Sequence, residues 1–523
     1  MTDHQKIYTV LFVASLLLFL INLLIQGQIV FDYEDSLGLI FKMGGVFWVG
    51  ILILIFLICY HFVNFDKIDE RYVYLTFTVV ILYLIGTPIF YEHFPRFPDT
   101  WTHSYIANEM FKTGRVINNI DSYEQYPGAF LFFGLLFNVL PPYFIMSFFP
   151  LLIYVLGIAV IYLLFKTLIY GKISFLSSIM YMFFNWTVED NHLSPQFLML
   201  FVYFVFMFIL VKMLLTDKKS KKKYFLFYLI MIPVIVFSHP GIPIFLFLVL
   251  GSITVLCKKL RTAILPVFIL LILSFIIHTV VYTTELGSYT TYINNFIKSM
   301  LAGRFFQATQ SFNTSFLFRK LFLYSRLSIT AFSVIIGIVG LIVMFKKKYS
   351  IGARFLLAWA FSMIMFVIFV GIVLKGEFYE RFALISSLPL AVLTAYFLVE
   401  KKISVFYVLI LLLVITPFYF IAKYGNEEFE SVSLQRMVAS CYNATGNPKC
   451  YQNNEIIHNK LMLGTDWLGR TNFVVSREDE KWNSILYDES LNAYRNSVKD
   501  AVVQMKLDRV FSTDESTVYD LTR

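Results

Sequence analysis

Runs of about twenty apolar residues are the feature that most restricts what this chain can fold into. Inside a bilayer the backbone N–H and C=O groups must find partners within the protein, so such runs cross it as helices. They occupy residues 7–25, 37–63, 73–91, 143–165, 197–215, 263–282, 321–345, 355–374, 382–399 and 405–422. Shorter apolar stretches lie at 128–140, 173–186, 224–237 and 242–256. The pattern predicts an all-α polytopic membrane protein with about 13 transmembrane helices, the 128–140 stretch being re-entrant or lying in the interface. With 58% hydrophobic and 15% charged residues, the chain falls outside soluble enzymes, disordered proteins and disulfide-dense secreted domains. The 58 phenylalanines read as lipid-facing packing.

Charge divides the chain. Residues 423–523 carry 12 Lys/Arg against 15 Asp/Glu, so the 422 residues before them hold +12 of an overall +9. That excess sits in short runs between apolar segments, where it sets orientation and does not call for a nucleic acid partner. The runs 217–223, 258–261, 346–348 and 401–402 are expected in the cytosol, with Lys166 and Lys172. The loops 92–127, 187–196, 238–241, 283–320 and 375–381 then fall outside, as does the tail. The tail holds Cys441 and Cys450, nine residues apart, a spacing that suits a disulfide in an oxidising compartment. Sequons at Asn185, Asn313 and Asn443 fall on the same side. No cleavable signal peptide is expected. Residues 1–422 thus read as a transmembrane domain, and 423–523 as a small extracytoplasmic α/β or α+β domain, with alternating apolar segments at 472–475 and 509–511 around a helical 491–505.

The first large outer loop gathers Glu92, Asp99, His103, Glu109, Lys112, Arg115, Asp121 and Glu124 beside the membrane. Pro98 starts a helix that Asp99 is placed to cap, and Gly114 ends it. Asp99 and His103, four apart, share a face of that helix. Other outer loops add Glu189–His192 with Gln196, then Ser238–Gly241, then Lys375, Glu377, Glu380 and Arg381, and finally Arg304 in the longest loop. Polar groups thus collect at one membrane surface among short or interrupted helices, an arrangement tolerated where it lines an enclosed cavity.

The run D-x-x-x-H…A-x-x-x-x-x-T-G…Y-x-Q-Y-P, here Asp99, His103, Ala107, Thr113, Gly114, Tyr123, Tyr126 and Pro127, resembles the GT-C superfamily of integral-membrane glycosyltransferases. Relatives include protein O-mannosyltransferases and aminoarabinose transferases. The match centres on residues 90–200. It implies a donor that is a polyprenyl-phosphate-linked sugar, and an acceptor outside the cytoplasm: a lipid-linked glycan, a glycolipid or a surface protein. It implies a catalytic carboxylate at Asp99 and a second acidic position at Glu189 or Asp190. The plasma membrane is the expected location, and a divalent cation, Mg or Mn, is a possible cofactor. Two features depart from the family pattern. The acidic loop follows the third span where it usually follows the first, and the W-W-D-x-G signature of oligosaccharyltransferases is missing, Thr465–Gly469 being a poor substitute.

The chemistry needs few groups. A carboxylate takes the acceptor proton, and fixed cations hold the leaving phosphate, for which arginine is best suited. Arg381 is the first choice, with Arg304 and Lys375 behind it; His103, Glu189, Asp190 and His239 complete the expected substrate-binding set. A single displacement inverts the anomeric centre. Each residue has a plainer reading. Asp99 serves equally as a helix cap, Glu189 and Asp190 as a solvated loop, His239 as a turn residue and Arg381 as an interfacial anchor. An envelope polymerase or ligase, a transporter or flippase, and a membrane scaffold are the competing functions.

Overall fold

The computed structural model describes residues 2–27, 29, 37–92 and 95, then 97–116, 125–188, 192–215, 218–257 and 260–282. It further describes 317–345, 351–373, 378–425, 473–476, 508–512 and 517–520. The helices are α1 (Asp3–Gln26), α2 (Leu39–Lys42), α3 (Gly45–Val63), α4 (Arg71–Ile81), α5 (Thr87–Tyr91), α6 (Pro98–Thr113), α7 (Pro127–Val139), α8 (Pro142–Leu168) and α9 (Gly171–Phe184). They continue with α10 (Pro195–Leu215), α11 (Lys218–Ser238), α12 (Gly241–Leu256), α13 (Arg261–Tyr282), α14 (Leu317–Phe345), α15 (Ile351–Val373), α16 (Phe378–Glu400) and α17 (Val405–Tyr424).

Among the described residues nine helices are long and apolar enough to cross a membrane: α1, α3, the continuous α4–α5, α8, α10, α13, α14, α16 and α17. The protein is a polytopic α-helical membrane protein. Five shorter apolar helices accompany these, namely α7, α9, α12 and the apolar parts of α11 and α15. The 13 residues of α7 rise about 20 Å, less than the roughly 30 Å of a hydrocarbon core. Residues 355–373 of the expected span at 355–374 fall within α15, whose apolar stretch is among the shorter ones.

The short helix α9 lies at the centre. Every residue from Ile173 to Phe184 is buried, and α3, α4, α8, α14, α16 and α17 all pack on it. A helix that is apolar all round is one enclosed by its neighbours. Its serines return hydroxyl bonds to their own helix, Ser177 to the Ile173 carbonyl at 2.7 Å and Ser178 to Ser174 at 3.0 Å. The helices α14 and α16 approach most closely where glycines remove the side chain. A methyl group at Gly337 would lie 2.6 Å from Leu390, and one at Gly340 would overlap the Leu393 carbonyl. Without a hydrophobic force between spans, such close backbone packing supplies the association energy.

Between α4 and α5 the helix widens into a π turn, Leu82–Gly86. Pro88 has no N–H to offer the Leu84 carbonyl one turn back. The Tyr424 hydroxyl, from the end of α17, donates to that carbonyl at 2.6 Å. Tyr83 donates to the Ser15 carbonyl at 2.7 Å, and Asn22 to the Tyr91 hydroxyl at 2.9 Å, so α1 is tied along the same segment. The N-terminal pair α1–α3 therefore braces the helix that leads into α6.

The phenylalanines divide between the outward face, as expected, and the interior. Phe47, Phe77, Phe130, Phe175 and Phe245 are buried. Phe77 stacks on Phe175 at 5.8 Å, and Phe47 meets Phe420 edge-on at 5.8 Å. Others, such as Phe41, Phe56, Phe144 and Phe227, face outward with Leu24, Ile25, Leu226, Ile230 and Ile335. In the tail, β1 (Phe473–Ser476), β2 (Asp508–Ser512) and β3 (Thr517–Asp520) form an antiparallel sheet in the order β1–β3–β2. Val474 pairs with Tyr519 and Ser512 with Thr517, and a bulge falls between Arg509 and Phe511. The alternating apolar segments at 472–475 and 509–511 overlap β1 and β2. The expected helix at 491–505 and the Cys441–Cys450 pair lie outside the described residues.

Candidate active site

The helix α6 and its neighbour α7 form the wall of the site. Gly134 lets them touch, since a methyl group there would lie 2.6 Å from the Ala107 carbonyl. The left-handed Gly114, φ 63°, ends α6 as the sequence led one to expect. Its start is a correction. The N-cap is Phe97, with no side-chain capping bond, and Pro98 occupies the first helical position. Proline's fixed φ and missing N–H suit that position, which moves Asp99 into the helix and out of the cap. Asp99 and His103 then stand four residues apart on one helix.

Three loops converge on this helix. The His103 Nδ1–H donates to the Leu193 carbonyl at 3.2 Å, and its ring lies 5.7 Å from Phe130 and 6.4 Å from His192, nearly parallel to the latter at 11°. His192 donates Nδ1–H to the Val188 carbonyl at 3.0 Å and packs on Phe97 at 5.2 Å. With Nδ1 protonated, Nε2 of a neutral His192 carries the lone pair. That atom is buried and has no hydrogen-bond partner among the described residues, and the same is true of the Thr100 hydroxyl, beside Asp99 on α6. Arg381, on α16, donates to Gln196 Oε1 at 3.0 Å at the start of α10.

His239 closes the arrangement from the turn between α11 and α12. Its Nδ1 accepts from the backbone N–H of Gly241 at 2.9 Å and of Ile242 at 3.3 Å. The turn packs against the start of α7, where a methyl group on Gly128 would overlap the Ser238 hydroxyl. Burial, then the Arg381 charge, then His103, hold the His239 imidazole well below the usual histidine range. The unfolded chain therefore takes up a proton near pH 6.5 that the folded chain refuses. Stability is expected to be full above that pH and to fall as the pH drops below it. Thermal unfolding of purified protein between pH 7.5 and 5, about the range of histidine titration, checks this. His239→Asn, whose Oδ1 stands near the position of Nδ1, should flatten the dependence.

Of the expected site residues, His103, His239 and Arg381 come together. Asp99 is placed by its backbone on α6. Glu189, Asp190, Arg304 and Lys375 lie outside the described residues. The Asn185 sequon is corrected: Asn185 is fully buried, donating to the Tyr181 hydroxyl at 3.2 Å and accepting from Thr187 at 2.7 Å, so it is closed to a glycan. Among the described residues no three His, Cys, Asp or Glu side chains form a group able to hold a metal ion. A hard cation such as Mg or Mn takes mainly oxygen donors, so the imidazole nitrogen of His192 does not by itself fit one.

The site residues missed by sequence reasoning are His192 and Gln196, within a stretch noted as polar, and two buried cations behind it, Arg326 and Lys423. Arg326 stands inside an apolar run, and an ionisable residue in a span is a functional signal in its own right.

Fold and cluster together define a polytopic helical membrane protein with a polar site gathered where a membrane-flanking helix meets several loops. No family profile and no curated protein matches the sequence. Among solved structures the chain is similar to the Archaeoglobus fulgidus oligosaccharyltransferase in the apo form, at 12% identity and a TM-score of 0.45, over 78% of this chain and 61% of that one. It is similar to the same enzyme in complex with Zn and sulfate at 15% identity and a TM-score of 0.45, over 76% and 58%. For the archaeal oligosaccharyltransferase AglB from Archaeoglobus fulgidus, in complex with an inhibitory peptide and a dolichol-phosphate, the values are 14% and 0.45, over 78% and 61%. The chain spans about three-fifths of the length of these structures.

Proposed function

We propose that the protein is a glycosyltransferase of GT-C type. It moves a monosaccharide from a polyprenyl-phosphate donor to a lipid-linked glycan, glycolipid or surface protein on the extracytoplasmic side of the plasma membrane. About 13 helices span or enter the bilayer, and residues 423–523 form a small outer domain. The observation that carries this reading is the meeting of His103 on α6, the 192–196 segment, His239 and Arg381 around the helix that bears Asp99.

In the proposed reaction the acceptor hydroxyl attacks the anomeric carbon while Asp99 takes its proton. The bond from that carbon to the phosphate oxygen breaks, and its electron pair leaves with the phosphate. Arg381, beside Gln196, holds the phosphate, and the charge of the leaving group is met by a fixed cation in a site partly closed to water. The imidazole of His192 adds a hydrogen-bonding group, and that of His239, held low by burial, adds another without adding charge.

The test compares surface-glycan masses in a host lacking the protein, restored with the natural sequence or with Asp99→Asn. The expected result is a glycan short by one sugar in the deletion, restored by the natural sequence and not by Asp99→Asn. Restoration by Asp99→Asn would make Asp99 structural. An unchanged glycan in the deletion would favour a transporter or a scaffold.

A further inference from the structure

The last turn of α17 holds a residue whose charge is turned back into the bundle. Lys423 is fully buried. Its ammonium donates to the Thr187 carbonyl at 2.7 Å and to the Asn185 carbonyl at 3.5 Å, and lies 5.6 Å from the Tyr419 ring centre. One residue earlier, the Ala422 carbonyl accepts from Arg326 Nε at 2.9 Å. The Arg326 guanidinium lies over the rings of Trp186, at 4.6 Å, and Phe322, at 4.0 Å. Trp186 in turn donates to the Thr330 hydroxyl at 3.0 Å. Residues 185–187 are thus gripped from α14 and α17 together.

The placement has a physical cause and a consequence. Asn185 is the C-cap of α9, where the final carbonyls lack helical N–H partners and the helix dipole favours a cation. Burying an ammonium is costly unless hydrogen bonds replace its water, so the lysine and the loop hold each other. The next carbonyl along, Val188, is the one that receives His192 Nδ1–H and sets which nitrogen of that ring faces the site.

We propose that Lys423 is a positioning residue for the candidate site. By holding the Thr187 and Asn185 carbonyls, it fixes the backbone from which Val188 orients His192 against Phe97 and His103. The position of the last span is thereby coupled to the site. The inference rests on reading this cluster as the transferase site, but its first test does not.

That test is hydrogen exchange on the purified full chain, comparing the natural sequence with Lys423→Met and Lys423→Arg. Amides of 186–193 are expected to exchange about tenfold or more faster in Lys423→Met, with α3 and α10 unchanged, and to return toward normal in Lys423→Arg. Unchanged exchange at 186–193 would overturn the inference, as would a rise of equal size across α3 and α10, which marks general loss of fold. Should Lys423→Met not fold, Lys423→Gln, which keeps a donor without the charge, takes its place. The second arm restores the deletion host with the same variants. Lys423→Met should lose the glycan and Lys423→Arg regain it, and full restoration by Lys423→Met would again overturn the positioning role. If the deletion itself changes no glycan, the transferase reading falls, while the exchange data still decide whether Lys423 holds the loop.

Discussion

Arg381→Leu is expected to lower sugar transfer by about two to three orders of magnitude, the usual loss when one preorganised charge partner of a developing anion is removed. The side chain bonds Gln196 at 3.0 Å and its charge is felt at His239, so it stands inside the cluster rather than at a solvated helix end. Arg381→Lys keeps the charge but not the planar fork that grips two phosphate oxygens, so it should recover only part of the loss. The measurement is initial rate of transfer in membranes against donor concentration. A cation that acts on the leaving group lowers kcat, whereas an anchor for the bound donor raises KM alone. Transfer at the natural rate in Arg381→Leu would return Arg381 to the role of an interfacial anchor.

A large stability loss is expected at Gly340. A methyl group there would overlap the Leu393 carbonyl, which is backbone and has no rotamer to move aside. Gly340→Val must therefore push α14 away from α16, and overpacking of this kind costs about 1–3 kcal/mol or more. Because α16 also packs on α9 and carries Arg381, the damage should reach the site. Thermal unfolding in detergent should fall by several degrees or the protein should fail to accumulate. The control is Gly251→Ala, where the nearest neighbour of an added methyl is the Phe268 ring at 3.6 Å, an ordinary contact.

The parts legible in the sequence were those written as local pattern. Length and apolarity located the spans, Gly114 marked the end of α6, and the shared polarity of three loops brought His103, His239 and Arg381 into one list. What escaped depended on the third dimension. Phe97 took the cap because Pro98 fits the first helical position better than a residue following a carboxylate would. Asn185 looked like a glycan acceptor by its neighbours in sequence, but α9 carries it into the middle of the bundle. Lys423 looked like the first residue of a polar tail, whereas its partners are the carbonyls of Asn185 and Thr187, 238 and 236 residues earlier. Local spacing carries no record of such a partner.

The Tyr424–Leu84 bond has a meaning for how the protein is made. The carbonyl left open by Pro88 is closed by a hydroxyl that lies 340 residues further along the chain. During synthesis the early spans enter the bilayer long before α17 exists, and through that interval the π turn below α6 holds an acceptor without its final donor. The first spans can therefore insert in order, but the segment leading to α6 reaches its finished form only when the last helix arrives. Completion of the early half is in this sense a late event, set by the order in which the ribosome delivers the spans.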